Sequence, residues 1–213
     1  MAHAHLKSAL LLFVAACSPA PEAKSPPPSA GPTPAVTAAS QPKPEPLADA
    51  QWKQVASRFQ SLEVPLPMAS EWQVLDGKHE LRAIHRPTDS ELSARLWRAS
   101  RLVSRDECEK QLHLWRPDLP NPSEAPETVL DSRDITAPAG FSVTVTAGVR
   151  RTDTSLEGYL LAIGVAVGQC YAASFVTHAV GPGAETAIGD RLAVVGERVL
   201  PRVQRVGVEG RIY

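Results

Sequence analysis

The pattern of apolar and polar positions changes three times along the chain. Residues 8–16 form a mostly apolar run, residues 18–46 carry no aromatic side chain, and apolar residues recur at regular spacings from residue 47 onward. Spacings of three to four residues are typical of helices, and alternation is typical of strands. We therefore divide the chain into residues 1–16, residues 17–46 and a single folded domain over 47–213.

The domain opens with a predicted helix and a predicted strand. Trp52, Val55 and Phe59 have helical spacing, which predicts a short helix. The run Leu62–Pro67 (LEVPLP) favours an edge strand, because proline has no N–H to donate to a second neighbour.

A hairpin is predicted next, at Asp76-Gly77. These two residues suit the positive φ angles of a tight turn and lie between two arms with apolar residues. The stretch Ser90–Val103 is ambiguous, since its apolar residues fit a helical face while Ala94–Arg98 fits a strand. We favour the strand.

A helix follows, and it begins at a capping box. Ser104 and Glu107 have capping-box spacing, and Pro117 ends the helix. The apolar residues on one face of this helix are Cys108, Leu112 and Trp115. Cys108 is therefore expected to point inward.

The second half of the domain favours strands. Residues Arg116–Gly140 are rich in proline and acids, which predicts an irregular surface excursion. A strand with alternating apolar residues then contains Phe141, Val143, Val145 and Val149, and Arg150–Ser155 is a polar turn.

The run Gly158–Val176 contains no charged residue. A membrane-spanning helix is one interpretation of its length. A buried hairpin turning at Gly168-Gln169 is the better one, because bulky and small residues alternate along it. The small residues Ala162, Gly164, Ala166 and Gly168 predict close approach of a helix or another backbone. A final helix places Ile188, Leu192, Val195 and Val199 on one face and ends or kinks at Pro201.

These elements predict an α+β fold: a mostly antiparallel sheet covered by helices, an α/β sandwich preceded by a disordered linker. Their order, with LEVPLP at Leu62–Pro67 and GYLLAIGVAV at Gly158–Val167, resembles that of PsbP/Mog1-like domains over most of residues 59–206. The resemblance implies binding and accessory roles and no catalytic residue.

The first 17 residues resemble a bacterial lipoprotein signal. Lys7 supplies a positive n-region, Ser8–Ala16 is the apolar h-region, and Val14-Ala15-Ala16-Cys17 resembles the lipobox. The resemblance implies cleavage before Cys17, a diacylglycerol thioether on its sulfur and acylation of the new amine, so that the chain is held at a membrane by lipid. An ordinary secretory signal that contains a cysteine is the alternative.

Residues 17–46 are predicted to be a disordered spacer. Ten of the chain's 20 prolines lie between Ser18 and Pro46, and such a segment buries too little surface to fold. It would extend to at most about 90 Å at ~3.1 Å per residue. Ser18 in place of an aspartate favours the outer membrane, facing the periplasm, with the cell surface left open.

The charge balance excludes a nucleic-acid partner. The chain has 22 basic and 23 acidic residues, a formal charge of −1, and removal of residues 1–16 takes away only Lys7 and leaves −2. Once Cys17 carries lipid, Cys108 and Cys170 are the remaining pair in an oxidising compartment, which predicts a disulfide. A thiol nucleophile is the alternative that we disfavour.

No catalytic residue, metal site or cofactor is predicted. The domain's histidines, His79, His85, His113 and His178, lack the spacing of a zinc site. The spacing of Arg198, Arg202 and Arg205 predicts a basic stripe on the last helix, either solvated or facing anionic headgroups or polymers.

Two functions remain open from the sequence. The first is a lipid-anchored, non-catalytic envelope protein that binds an envelope partner or a small apolar ligand. The second is a hydrolytic envelope enzyme. A deep pocket where histidine and carboxylate groups converge would favour the enzyme.

Overall fold

The computed structural model describes residues 51–68, 71–99, 102–136 and 140–206, which all belong to one compact unit, Ser40–Tyr213. The predicted signal segment, Cys17 and the predicted spacer lie outside these residues. The strands are β1 Trp52–Ser57, β2 Leu62–Pro67, β3 Trp72–Asp76, β4 Leu81–His85, β5 Ser90–Arg98, β6 Val129–Thr136, β7 Ser142–Arg151, β8 Leu156–Ala166, β9 Gln169–Ala179 and β10 Gln204–Arg205. The α-helices are α1 Arg105–Trp115 and α2 Ala184–Val194.

The strands of the described residues form two sheets. The large sheet has the order β3-β4-β5-β9-β8-β7-β6, and the small sheet has the order β1-β2-β10. Every pairing in them is antiparallel. The predicted mostly antiparallel α+β architecture is therefore confirmed, with few helices and a sandwich-like arrangement.

The hairpin of β8 and β9 lies at the centre of the large sheet, as predicted. It turns at Gly168, whose φ of 66° a side chain would disfavour, and Ala166 pairs with Gln169 beside the turn. Most of both strands is buried, because the small sheet and α2 pack on one face and α1 packs on the other. Within the described residues, no helix is long and apolar enough to cross a membrane.

One face of the large sheet packs in the main core with the small sheet and α2. The buried residues of this core include Leu62, Val64 and Leu66 of β2, Leu160 and Ala162 of β8, Phe175 of β9, and Ile188 and Leu192 of α2. Burial of each aliphatic side chain contributes about 1.5–3 kcal/mol. At Gly164, one of the small residues predicted to allow close approach, an added Cβ would meet the side chains of Val143 and Tyr171 on neighbouring strands, and not a helix or another backbone. The close approach of a helix occurs at Gly158, outside the predicted set, where an added Cβ would overlap Ile188 Cγ2.

The opposite face of β8 and β9 packs against α1. Ser104 caps this helix by accepting a hydrogen bond from the N–H of Glu107, and Cys108 and Leu112 are fully buried, as their spacing predicted. Cys108 forms a disulfide with Cys170 of β9, with the two Cα atoms 5.6 Å apart. The predicted disulfide is confirmed, and it joins α1 to the middle of the sheet.

Two predictions at the start of the domain need correction. Trp52 and Val55 lie in β1 and not in a helix, because residues 52–57 pair in full register with β2. The strand Leu62–Pro67 is correct, but it lies between β1 and β10. Its prolines are tolerated because β10 pairs only with Leu62 and Glu63, so the strand has one neighbour at Pro65 and Pro67.

The strand prediction for the ambiguous stretch is confirmed over Ser90–Arg98, and the hairpin at Asp76-Gly77 is present. Its turn is not the tight one expected. Neither residue has a positive φ, and Gly77 N–H instead donates to Glu80 O across a longer loop. The segment Arg116–Gly140, predicted to be irregular, also contains a strand, β6. The strand was not predicted because it is an edge strand with mostly exposed side chains.

The final helix is confirmed, and it changes shape before Pro201. α2 continues as a π-helix over Val195–Val199 and a 3₁₀ turn over Leu200–Arg202. Proline cannot donate the N–H that an α-helix requires, so the regular pattern ends before it.

Candidate functional site: a charged cleft

Three ionisable residues lie in a row across the central strands. Arg150 of β7 pairs directly with Glu157 of β8, and Glu157 pairs directly with His178 of β9. Residues directly opposite each other on antiparallel strands present their side chains on the same face. The strand register therefore brings a guanidinium, a carboxylate and an imidazole together on the face that carries α1.

Glu157 is the centre of this row. It is only 5% exposed. Its Oε1 lies 2.6 Å from Arg150 Nε in an ion contact, and its Oε2 accepts a hydrogen bond of 3.0 Å from Arg150 Nη2. His178 Nε2 lies 3.2 Å from the same Oε2. A buried carboxylate needs such partners, because leaving it unpaired would cost several kcal/mol.

Asp89 approaches the other side of the imidazole. Its Oδ2 lies 3.4 Å from His178 Nδ1, and its backbone carbonyl accepts from the N–H of His178 at 3.1 Å. Asp89 has a φ of 46°, a left-handed conformation that ends the 3₁₀ turn Arg86–Thr88 before β5. Its side chain is 81% exposed, so this carboxylate forms the solvent-facing rim.

Arg116 forms the opposite wall, just after α1. Its Nη1 donates to Glu91 Oε1 at 3.2 Å, to Ser93 Oγ at 3.2 Å and to Ser174 Oγ at 3.3 Å. Its Nη2 donates to Asp118 Oδ2 at 2.7 Å. The guanidinium thus ties the end of α1 to β5 and β9 and is itself mostly buried.

The charges around Arg116 perturb two pKa values. Burial lowers the pKa of Arg116, but hydrogen bonding to Asp118 and the charges of Asp118 and Glu91 outweigh it, and the pKa lies above its usual value. The hydrogen bond from Arg116 holds the pKa of Asp118 below its usual value. Both groups are therefore ionised at neutral pH.

These groups line an open cleft of about 240 Å³, which we call the charged cleft. The ionisable residues that line it are Asp89, Glu91, Arg116, Asp118, Arg150, Glu157 and His178. A volume of this size is below the usual range of about 300–1,000 Å³ for small-molecule sites. His178 also borders a second hollow, which continues along the turn between β7 and β8.

A second polar group lies on the opposite face of the same strands. We call it the sealed network, and it consists of five buried residues, His85, Thr88, Ser90, Thr177 and Arg191, and of Glu71 at its edge, whose side chain is 39% exposed. Its hydrogen bonds run from Glu71 Oε2 to His85 Nε2 at 3.1 Å, from His85 Nδ1 to Thr88 Oγ1 at 2.7 Å, and on to Ser90 Oγ at 2.7 Å. Ser90 Oγ then donates to Thr177 Oγ1 at 2.8 Å.

Arg191 of α2 closes the sealed network. Its Nη1 donates to Thr177 Oγ1 at 3.0 Å, to Thr88 O at 2.9 Å and to His178 O at 2.8 Å. The sealed network therefore holds the backbone at the two points from which Asp89 and His178 project into the charged cleft. Arg191 is 2% exposed and His85 is 1% exposed, so no substrate reaches either side chain.

The four histidines singled out in the sequence do not come together. His79 is exposed in the turn between β3 and β4, His85 lies in the sealed network, His113 lies on α1 and His178 lies in the charged cleft. Within the described residues, no group of three histidine, cysteine or acidic side chains has the geometry to hold a metal ion.

The predicted arginine stripe is correct in part. Arg198 and Arg202 lie at helical spacing in the π-helix and the 3₁₀ turn, and both guanidinium groups face the ring of Trp52. Arg205 is not on the helix. It lies in β10, because the chain becomes extended again after Val203 and pairs with β2.

The sequence contained one unused signal for the charged cleft. The uncharged run Gly158–Val176 is bracketed by Glu157 and His178, and a hairpin that turns at Gly168 places those two residues opposite each other. The prediction of the hairpin therefore implied their contact. Arg150 lies seven residues before Glu157 and pairs with it in the β7–β8 hairpin, but the prediction placed it in the turn Arg150–Ser155 and not in a strand. Arg116 and Asp89 gave no such signal, because they come from separate parts of the sequence.

The fold and the site define an antiparallel α+β domain with a charged cleft on one face of its large sheet. No family model matches the chain, and no curated protein matches it. A solved structure from Bacteroides thetaiotaomicron VPI-5482 is similar at 11% identity with a TM-score of 0.45, covering 77% of this chain and 52% of that chain. The chain thus spans about half the length of that protein.

Proposed function

We propose that this chain is a lipid-anchored, non-catalytic envelope protein whose domain binds an envelope partner through the charged cleft. Lipid on Cys17 would hold it at the membrane, with the outer membrane and the periplasm favoured by Ser18. The layout of residues 1–17 supports the anchor. The disulfide of Cys108 and Cys170 supports an oxidising compartment such as the periplasm.

Histidine and carboxylate groups do converge in the charged cleft, as the enzyme would require, but the cleft is open and holds only about 240 Å³. The observation that carries the non-catalytic role is the pairing within the cleft. Both nitrogens of His178 face carboxylates, at 3.2 and 3.4 Å. A nucleophilic hydrolase instead needs a hydroxyl or thiol within hydrogen-bond reach of its base. Among the described residues, the contacts of His178 include no such group.

The sealed network does contain a carboxylate, an imidazole and a hydroxyl in sequence, namely Glu71, His85 and Thr88. This order of groups is the one that catalytic triads use. Thr88 is only 2% exposed, however, and its Oγ1 is shared with Ser90. We infer a structural role for these groups.

The charged lining favours a polar partner over a small apolar ligand. Opposite charges at the cleft recognise a surface that presents both signs, and complementary charges contribute mainly to specificity and to the association rate. We also infer that α1 and α2 cover the two faces of the large sheet. That role is supported by Leu112 on one face and Ile188 on the other.

The anchor is tested by metabolic labelling with a clickable fatty acid. Full-length wild-type chain should take up the label, and Cys17→Ser should not. Cys170→Ser is the matched control, since it removes a cysteine that lies in the disulfide. Equal labelling of wild type and Cys17→Ser would contradict the anchor.

The hydrolase alternative is tested by a fluorophosphonate probe, which reacts with activated hydroxyl groups. We expect no labelling of the folded chain. Labelling of the wild type that is lost in Thr88→Val, or in a variant with His178→Gln, would contradict the non-catalytic role.

A further inference from the structure

Three arginine side chains face aromatic rings, at Trp52 in the first strand and at Phe141 just before β7. The Cζ atoms of Arg198 and Arg202 lie 5.4 and 5.7 Å from the centre of the Trp52 ring, and Arg205 Cζ lies 5.9 Å from the centre of the Phe141 ring. We call these five residues the arginine surface. Stacking holds a guanidinium in place and leaves its edge N–H groups directed outward, where they can donate to oxygen.

Two of the three arginines of this surface, Arg202 and Arg205, are exposed. Within the described residues, neither Arg202 nor Arg205 forms a salt bridge. Two positive charges therefore remain available at this surface.

The end of the last helix builds this arrangement. The π-helix Val195–Val199 and the turn at Leu200–Arg202 place Arg198 and Arg202 over one ring. β10 then pairs with β2 and fixes the backbone of Arg205. Short π-helical segments often occur at functional sites, where they redirect side chains.

The position of the arginine surface in the chain indicates what it faces. Trp52 lies in the first strand of the domain, directly after the segment that leads back to Cys17. The spacer predicted for residues 17–46, of about 90 Å or less, would confine the domain near the membrane and raise its effective concentration there. Even a weak affinity of this surface for headgroups would therefore keep a tethered domain bound to the membrane for part of the time.

We propose that the arginine surface binds the phosphate groups of anionic lipid headgroups in the membrane that holds the chain. This inference rests on the proposed lipid anchor. Arginine suits the role because its planar fork donates two parallel hydrogen bonds to phosphate oxygens. The domain would then rest on the membrane through this surface, while the charged cleft contacts the partner.

The test uses the mature full-length chain with Cys17→Ser, so that lipid on the protein does not mask binding by the domain. Sedimentation with vesicles of phosphatidylcholine and phosphatidylglycerol gives the affinity, and vesicles of phosphatidylcholine alone give the background. The variant is Arg202→Gln/Arg205→Gln. The matched control is Arg86→Gln/Arg98→Gln, which removes two exposed arginines elsewhere.

We expect the affinity for anionic vesicles to fall about 30-fold in the variant. Each basic residue at an anionic surface contributes about 1 kcal/mol, and two such contributions correspond to this factor. The control should bind like the parent chain. All three proteins should share one urea midpoint, which shows that the substitutions leave the fold intact.

An unchanged affinity of Arg202→Gln/Arg205→Gln for anionic vesicles would overturn the proposal that the arginine surface binds headgroups. An equal loss of affinity in the control would overturn it as well. A third arm measures binding of inorganic phosphate to the chain without vesicles, by equilibrium dialysis. Phosphate binding that is lost in Arg202→Gln/Arg205→Gln, with no sedimentation on anionic vesicles above the phosphatidylcholine background, would assign the site to free phosphate and overturn the lipid assignment. Fatty-acid labelling of wild type is measured separately, so failure of the anchor and failure of this surface are distinguishable.

Discussion

The charged cleft and the sealed network contain the same kinds of side chain on opposite faces of β5 and β9. His178 lies between two carboxylates at the rim of an open cleft, whereas His85 lies between a carboxylate and a hydroxyl and is 1% exposed. Thr177 and His178 are adjacent in the chain, yet one belongs to each group because successive strand residues point to opposite faces. The difference is access to solvent and not residue type.

The comparison also assigns the two groups different roles. The sealed network holds backbone atoms, since Arg191 donates to the carbonyl oxygens of Thr88 and His178. The charged cleft presents side chains, with Asp89 at its rim. Buried hydrogen bonds to a charged group contribute to stability, while exposed charges contribute mainly to recognition.

The largest effect is expected from the disulfide, which joins α1 to the cleft side of the sheet. Cys108→Ala/Cys170→Ala should lower the free energy of unfolding by about 4 kcal/mol, because the bridge joins residues 62 positions apart. Urea unfolding without reductant measures the loss. Amide hydrogen exchange should rise in α1 and around Arg116 more than around Thr177.

A loss below about 1 kcal/mol would contradict the stabilising role of the bridge. Equal gains in exchange on both faces would contradict the assignment of α1 to the cleft side alone.

The next largest effect is expected inside the sealed network. Arg191→Met should lower the free energy of unfolding by about 3 kcal/mol, since it leaves buried carbonyl oxygens without their charged donor. Arg151→Met is the matched control, because Arg151 is 78% exposed in its ion pair with Glu185. The control should change by less than about 1 kcal/mol. Equal losses of unfolding free energy in the two variants, measured by urea unfolding, would show that the sealed network does not stabilise the fold.

The smallest effect is expected at the exposed edge of the charged cleft, and it depends on pH. The pKa of Asp118 is lowered in the folded state, mainly by the hydrogen bond from Arg116. Its contribution is therefore present above the unfolded pKa of about 4 and is lost as the pH falls through the lowered folded value.

Wild type should exceed Asp118→Asn in stability by about 0.5 kcal/mol at neutral pH, the scale of an exposed ion pair. This difference should shrink below about pH 4, and urea unfolding at several pH values measures it. A difference that grows as the pH falls would give the opposite sign and contradict the pairing of Asp118 with Arg116.

The sequence predicted most of the elements whose pattern is local. The capping box at Ser104, the hairpin at Gly168 and the face that contains Ile188 are all present as expected. The helix predicted at Trp52 was wrong because strand pairing with β2 overrides the local spacing. The strand β6 was missed because an exposed edge strand lacks the apolar alternation on which such predictions depend.

The charged cleft was harder to predict than the fold. Glu157 and His178 followed from the hairpin register, but Arg116 reaches Glu91 only because α1 packs over the sheet, held by the disulfide at its first turn and by Leu112 near its end. Such contacts depend on tertiary packing, and the spacing of residues along the sequence does not predict them.

The binding role of the charged cleft is tested most directly by site-specific photocrosslinking in cells. A photoreactive residue placed at Asp89, whose side chain is 81% exposed at the rim, should give one discrete protein adduct. The same residue at Asp131, which is 54% exposed on the edge strand β6, is the matched control and should give none. The adduct at position 89 should weaken when Arg150→Gln is added. Equal adducts from both positions, or no adduct from position 89, would contradict the proposal that the charged cleft binds a partner.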